Sequence, residues 1–316
     1  MSIVPIAFAF DNNFVMPACI CISSLLMNAD ESTFYDIFIL HSSSCCPDKD
    51  KLGRLQTVFP KCRLHFRQVP DTFDKAFEIR GVTASTYYRL LIPEVIPEYD
   101  KIIYSDVDVI FRQDLSCLYN EVRFEGNALI AGVNSLSHLL PDIRDYYEKN
   151  YGIDSHRTIY AGNIVMNLKA MREESTVSRF VSMACEKFRF QDMDMINIVC
   201  QGRIEYLPPK YCITTYFCLF RTHDREKLLD LWSRSEIDEA ENSGIVHYNG
   251  QKPWKSYCVN FDIWWEYYRK SPFYDPSFYF DFFYGKLDEL DRLPLWKRVK
   301  IIARYFVYGR RKQIEI

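Results

Sequence analysis

The sequence predicts an α/β fold with a mostly parallel sheet covered by helices on both faces. Short apolar runs of the buried-strand type alternate with helical patterns from Ile3 to Leu168, the arrangement that builds parallel sheets. Two of these runs are followed at once by polar or acidic residues, Asp11-Asn12-Asn13 and Asp106-Val107-Asp108. Ligands of such sheets sit just beyond the carboxyl ends of the strands.

Ile3 to Phe10 reads as the first strand, and Pro5 within it requires a position near the strand's start or at an edge. Met16 to Asn28 follows as a helix packed on it, then Tyr35 to His41 as a second strand. Pro47-Asp48 opens a helix through Phe59, with proline in the first turn. Arg63 to Val69 is strand-like, and Thr86 to Leu91 is a helical segment expected to end before Pro93. Lys101 to Phe111 reads as a strand interrupted by acids, with further strands over Ala128–Val133 and Ile159–Leu168.

The 316 residues suffice for one large α/β domain or two modest ones. With 48% apolar and 26% charged residues, the chain is neither disordered, collagen-like nor a coiled coil. A net charge of −3 gives no reason to expect nucleic acid as a partner. Eleven scattered cysteines without a C-x-x-C pair argue against zinc and for a reduced, cytosolic protein. The N-terminus reads as no signal peptide, and no apolar window is long enough to span a bilayer. From Trp254 to Tyr284, 15 of 31 residues are aromatic. From Arg292 onward the local charge is +7, which leaves −10 on the rest of the chain.

The chain lacks both G-x-G-x-x-G and G-x-x-x-x-G-K-[ST], so no glycine loop cradles a phosphate. A divalent metal bridging carboxylates to a diphosphate is the alternative. On a strand-like segment Asp106 and Asp108 would share one face and reach a single cation. Two acids between apolar runs are costly to bury without a compensating charge. Alone, the pair also reads as a solvated strand end, or as a D-x-D-x-[TV] phosphatase motif with Asp106 as nucleophile. That second class calls for a later Gly-Asp acidic pair, and no Gly-Asp dipeptide occurs.

Six ordered segments complete a resemblance. They are Ala7-Phe8-Ala9-Phe10-Asp11-Asn12-Asn13-Phe14, Ser85-Thr86-Tyr87-Tyr88-Arg89-Leu90, Tyr104-Ser105-Asp106-Val107-Asp108, Ala161-Gly162 with Met166-Asn167-Leu168, Gln191-Asp192-Met193-Asp194, and His247-Tyr248-Asn249-Gly250-Gln251-Lys252-Pro253-Trp254. Over about residues 3–258 the chain resembles glycosyltransferase family 8, which includes bacterial lipopolysaccharide galactosyl- and glucosyltransferases and glycogenin. The resemblance implies a GT-A fold, a UDP-glucose or UDP-galactose donor, Mn²⁺ or Mg²⁺, and retention at the anomeric carbon. Carried over, it places Asp11 and Asn13 on the uridine, and Arg89 on the sugar–phosphate side of the donor. Asp106, Asp108 and His247 become metal ligands, Lys252 a phosphate ligand and Asp192 a neighbour of the donor sugar. Ala161, Gly162 and Gly250 join the donor site. Arg89, Asp192 and Lys252 are the catalytic candidates. Carboxylates and imidazole suit Mn²⁺, and metal with Lys⁺ would stabilise the departing UDP.

Taken singly, Asp11 and Asn13 also read as turn residues, Arg89 as a surface charge, His247 as a structural histidine and Lys252 as a solvated loop residue. The family's usual Asn before Ala-Gly is Tyr160 here, and its usual Gln between two aspartates is Met193. A thioether cannot make an amide's hydrogen bonds, so a nucleotide-sugar binder without turnover stands as the second reading. The expected organisation is a catalytic domain over 1–258 and an aromatic, basic, helical extension over 259–316. Helical spacing from Leu295 to Tyr308 puts Trp296, Val299, Ile302 and Phe306 on one side and Lys297, Lys300 and Arg304 on another, followed by Arg310-Arg311-Lys312. Residues 292–312 are thus a candidate contact with an anionic membrane surface. The resulting expectation is a cytoplasmic enzyme held peripherally on the inner face of the membrane, with a glycan or lipid-linked saccharide as acceptor.

Overall fold

The computed structural model describes residues 2–73, 76–78 and 84–308. The chain runs through β1 (Ser2–Ala9), α1 (Val15–Met27), β2 (Thr33–His41), α2 (Lys49–Val58) and β3 (Cys62–Gln68). A 3-10 helix over Ala84–Leu91 leads into α3 (Ile92–Val95), followed by β4 (Lys101–Ser105), β5 (Val109–Ile110), α4 (Ser116–Glu121), β6 (Ile130–Asn134), α5 (Pro141–Tyr151) and β7 (Ile159–Asn167). The second half adds α6 (Leu168–Glu173), α7 (Thr176–Ser182), α8 (Asp192–Val199), β8 (Ile204–Leu207), α9 (Thr215–His223), α10 (Glu226–Leu229), α11 (Arg234–Ser243) and β9 (Val246–His247). Three helices close it: α12 (Phe261–Lys270), α13 (Pro276–Asp291) and α14 (Leu295–Tyr308).

Seven strands form one sheet in the order β3-β2-β1-β4-β7-β6-β8. Its pairs are parallel except those of β7 with β4 and β6. Pro5 sits one residue before β1 begins to pair with β4 at Ile6, where the strand has a neighbour on one side only, so its missing N–H costs no ladder bond. Side chains along β1 alternate between two buried clusters: Val4, Ile6 and Phe8 on one face, Ala7 and Ala9 on the other. Buried residues of α1, α2 and α12 cover the first face, and those of the 84–95 segment, α6, α7 and α8 cover the second. Both faces are therefore dry, as a parallel sheet requires.

One local expectation is corrected. The segment around the paired acids is not one interrupted strand: β4 ends at Ser105, Asp106–Asp108 form a bend, and β5 leaves the main sheet to pair with β9. The 3-10 helix before Pro93 ends at Leu91, as expected. Pro93 then occupies the first turn of α3, where its missing N–H is harmless.

The aromatic block packs mainly on itself and on the body. Phe261, Trp264, Trp265 and Tyr268 of α12 are buried in the same cluster as Ile20 of α1. Trp265 meets Phe282 and Phe283 of α13 at 4.7 and 5.1 Å between ring centroids. The outward side of α13 leaves Phe280, Tyr284 and Leu287 exposed. On α14, Leu295, Trp296, Val299 and Ile302 are all more than half exposed. The side chains of Arg304 and Phe306, and all of Arg310–Lys312, lie outside the described residues. Among the described residues no helix is long and apolar enough to cross a membrane.

Candidate active site

Asp11, following β1, accepts a hydrogen bond from the Asn13 backbone N–H at 2.8 Å and so caps a short 3-10 turn. Asp106 follows the neighbouring strand β4 at the same edge of the sheet. The main-chain N–H of Asp106 donates to the Gly162 carbonyl at 2.9 Å, fixing the bend against β7.

His247 arrives from far along the sequence. β9 pairs antiparallel with β5, Val109 opposite His247, which sets the imidazole beside the aspartates. His247 Nε2 lies 3.1 Å from Asp108 Oδ1 and 3.5 Å from Asp106 Oδ2. The three side chains present ligand atoms all within 4.8 Å of one another. Two carboxylates and an imidazole are a donor set suited to Mn²⁺ and tolerable to Mg²⁺. Gly162 is part of the cradle. A Cβ there would fall 2.2 Å from His247 Cε1 and 2.7 Å from Asp106 Oδ2. Only glycine lets β7 approach so closely.

Lys252 closes the cluster from the loop after β9. Its ammonium pairs with Asp108 and donates to the Tyr248 carbonyl at 2.6 Å. Burial works against ionisation of Asp108, but Lys252 and then His247 outweigh it and hold the carboxyl well below the usual range. Burial likewise disfavours the charged form of His247, yet chiefly the Asp108 carboxylate raises it to about 10. His247 Nδ1 faces the thiol of Cys212 at 3.8 Å. Gly250 sits in the same loop, where a Cβ would touch Thr215 Oγ1 at 3.4 Å.

On the other side of Asp106 lies Arg89, buried at the end of the Ala84–Leu91 helix. Its Nη2 donates to Asp106 Oδ1 at 2.6 Å, its Nη1 to the Ala161 carbonyl at 2.7 Å, and its Nε lies 3.0 Å from Asp192 Oδ2. The guanidinium also rests 4.3 Å from the Tyr104 ring centroid, and the Tyr104 hydroxyl donates to Asp106 Oδ1 at 3.0 Å. Although burial opposes its charge, Asp106 and then Asp192 raise Arg89 above its ordinary value.

Asp192 starts α8 and accepts from Thr86 Oγ1 at 2.9 Å. Burial pushes its carboxyl up to about 6 against the opposing pull of Arg89. The preceding Gln191 adopts φ 51°, ψ −118°, a strained backbone for a residue with a Cβ. Asp194 offsets that strain by accepting from the hydroxyls of Tyr146 and Tyr147, at 2.7 Å each, and from the Phe190 N–H at 2.8 Å. Met193 is partly buried against the second core cluster.

Arg89, Asp106, Asp108, Ala161, Gly162, Asp192, His247 and Lys252 are thus joined by direct contacts, while Asp11 and Asn13 share the sheet edge. Sequence reasoning missed Thr86, Tyr104 and Cys212, which touch Asp192, Asp106 and His247 respectively. Tyr104, two residues before Asp106, was open to a spacing argument. Cys212 carried no signal, since its partner is 35 positions away.

A sheet of this topology, with a carboxylate–imidazole cluster beyond its carboxyl edge, is the GT-A fold. Residues 5–258 match glycosyl transferase family 8, and the chain belongs to that family. It is similar to a putative glycosyltransferase of Haemophilus influenzae, 22% identical over 66% of this chain and 63% of that protein. Glycosyltransferase GlyF of Streptococcus pneumoniae is 23% identical over 83% of this chain and 60% of that protein. The chain therefore spans less than two thirds of the length of these two relatives. Among solved structures, the galactosyltransferase LgtC in complex with donor and acceptor sugar analogs matches with a TM-score of 0.68, at 20% identity over 87% of this chain and 98% of that one. The bifunctional enzyme WbbM matches with a TM-score of 0.69, at 24% identity over 88% of this chain and 51% of that one.

Proposed function

We propose that this chain is a retaining, metal-dependent hexosyltransferase that moves glucose or galactose from a UDP-sugar to a glycan or lipopolysaccharide-type acceptor. The observation that carries the reading is the convergence of Asp106, Asp108 and His247 within 4.8 Å, with Lys252 on Asp108. A divalent cation held there supplies charge neutralisation to a diphosphate leaving group. Lys252 would exchange part of its pairing with Asp108 for a phosphate oxygen, and Asp11 and Asn13, at the same edge of the sheet, would contact the uridine. The carboxylate of Asp192 orients hydroxyls of the donor sugar, with Arg89 keeping it aligned with Asp106. Retention then follows from front-face attack, in which the leaving phosphate takes the acceptor proton, since Met193 offers no nucleophile or amide.

The same Met193 supports the second reading, a nucleotide-sugar binder without turnover. A phosphatase fits poorly: one oxygen of Asp106 is already bonded to Arg89 and Tyr104, which weakens it as a nucleophile. UDP release from a panel of UDP-sugars, with and without Mn²⁺ and with products weighed by mass spectrometry, separates these readings. Metal-dependent release with a hexose-sized gain on an acceptor supports transfer. Binding without release supports the second reading.

The proposed location is the surface of an anionic membrane. Its support is the apolar side of α14 exposed beside Lys297 and Lys300, together with the exposed Phe280, Tyr284 and Leu287 of α13. Such a surface can insert its apolar side among headgroups while its bases face anionic lipid.

A further inference from the structure

We infer that Tyr160 is the platform on which the transferred hexose stacks, and that its ring selects a sugar of galacto configuration; this rests on the nucleotide-sugar reading above. β7 is irregular where Tyr160 lies. Gly132 of β6 pairs with Ile164 and Asn134 with Ile159, so residues 160–163 of β7 oppose Val133 alone. Irregularities of this kind re-aim side chains next to active sites. Here two residues of the irregular stretch, Tyr160 and Gly162, lie against the metal-ligand candidate His247. The Gly162 Cβ position abuts His247, and the Tyr160 ring stands 5.4 Å from the imidazole, nearly perpendicular to it.

The hydroxyl of Tyr160 is already anchored. Asn249 Nδ2 donates to it at 2.5 Å, while Asn249 Oδ1 accepts from the Thr215 N–H at 2.9 Å. Asn249 lies in the same loop as Gly250 and Lys252, so the ring is held by the segment that would grip a phosphate. Tyr160 packs on the core yet remains partly exposed. Its neighbour Ala161 gives its carbonyl to Arg89, which carries Asp192. A hexose joined to a diphosphate at the Asp106–Asp108–His247 cluster thus has a polar wall on the Asp192 side and an aromatic one at Tyr160. With its hydroxyl tied down, the ring offers mainly its π-face, which attracts C–H groups carrying partial positive charge. In galactose the axial O4 leaves the C–H groups of C3, C4 and C5 together on one face. In glucose the C4 hydrogen points to the opposite face, so the patch is smaller.

The test is calorimetric titration with UDP, UDP-galactose and UDP-glucose in the presence of Mn²⁺. The wild-type protein should bind UDP-galactose more tightly than UDP-glucose. Tyr160→Leu should weaken UDP-galactose about three- to tenfold, the range of aromatic stacking, while UDP itself is unchanged. Tyr160→Phe, which keeps the ring, should retain the galactose preference. Parallel loss of UDP and UDP-galactose in the Leu variant would make Tyr160 a structural support only. Unchanged UDP-galactose binding in the Leu variant also overturns the inference, and so does a wild type without galactose preference, a result that needs no variant. A wild type that binds UDP with Mn²⁺ but shows no Tyr160 effect leaves the nucleotide-sugar reading standing. Failure to bind UDP removes both.

Discussion

Arg89 ties Asp106 to Asp192: one guanidinium lies 2.6 Å from the first carboxylate and 3.0 Å from the second. The two carboxylates are therefore held together through one guanidinium. Arg89→Ala would leave Asp192 buried without its counter-charge. Breaking buried ion pairs from one side typically costs about 3–5 kcal/mol, and a loss of that order is expected in urea unfolding. A loss near zero would show that the pair is solvent-screened.

Asp108→Asn should remove Mn²⁺-dependent UDP binding in calorimetry, down to the level seen with a chelator, while circular dichroism stays native. The amide keeps the shape of the carboxylate but not its charge, and both Lys252 and His247 lose their common partner. Retained metal-dependent binding would contradict the metal site.

Gly162→Ala probes the same cluster without altering a charge. Overpacking of this kind costs about 1–3 kcal/mol, so the melting temperature should fall modestly. Metal-dependent nucleotide binding should fall far more, because the methyl would displace His247 and Asp106. Equal and small changes in both measurements would mean that the cluster adapts.

Asp192 predicts a pH dependence. Its carboxyl titrates at about 6 in the folded chain against an ordinary 3.8, so the native state holds the proton more tightly than the unfolded one. The stabilisation is fully present below about pH 3.8 and is lost as pH rises through 6. Asp192→Asn should flatten that part of the stability profile. Turnover should run the other way, falling below about pH 6 as the sugar-orienting carboxylate is protonated. A wild-type rate flat from pH 5 to 7 would argue against that role.

For the C-terminal helices, the protein should co-sediment with anionic but not neutral vesicles at low salt. Truncation after Asp291 should abolish the effect, since each base near the surface contributes about 1 kcal/mol. Added salt should weaken the association. Equal sedimentation of the two forms would assign α14 a purely structural role.

Much of this was legible in the sequence, for identifiable reasons. The strands β1, β2 and β4 announce themselves as apolar runs because both faces of their sheet are buried. Asp106 and Asp108 were legible through the cost of placing two acids among apolar neighbours. The bend that carries them was not, because β5 leaves the sheet to meet a two-residue strand whose pattern is too short to read. Arg89 showed its charge but not its burial, since the compensating acids come from the bend after β4 and from α8. Tyr160 was visible as a departure from the family pattern, and only the contact with Asn249 shows where its ring is held.

The pairing of β5 with β9 joins Asp108 to His247 across 139 positions. A nascent polypeptide that has already laid down β1 to β5 therefore holds both aspartates but not the histidine. It can assemble the Asp106–Asp108–His247 cluster only after His247 has left the ribosome. Closing so long a loop adds little to the equilibrium cost, which grows only logarithmically, but non-local closures form late. On the proposed reading, metal-dependent nucleotide binding should thus be absent from fragments that end before His247.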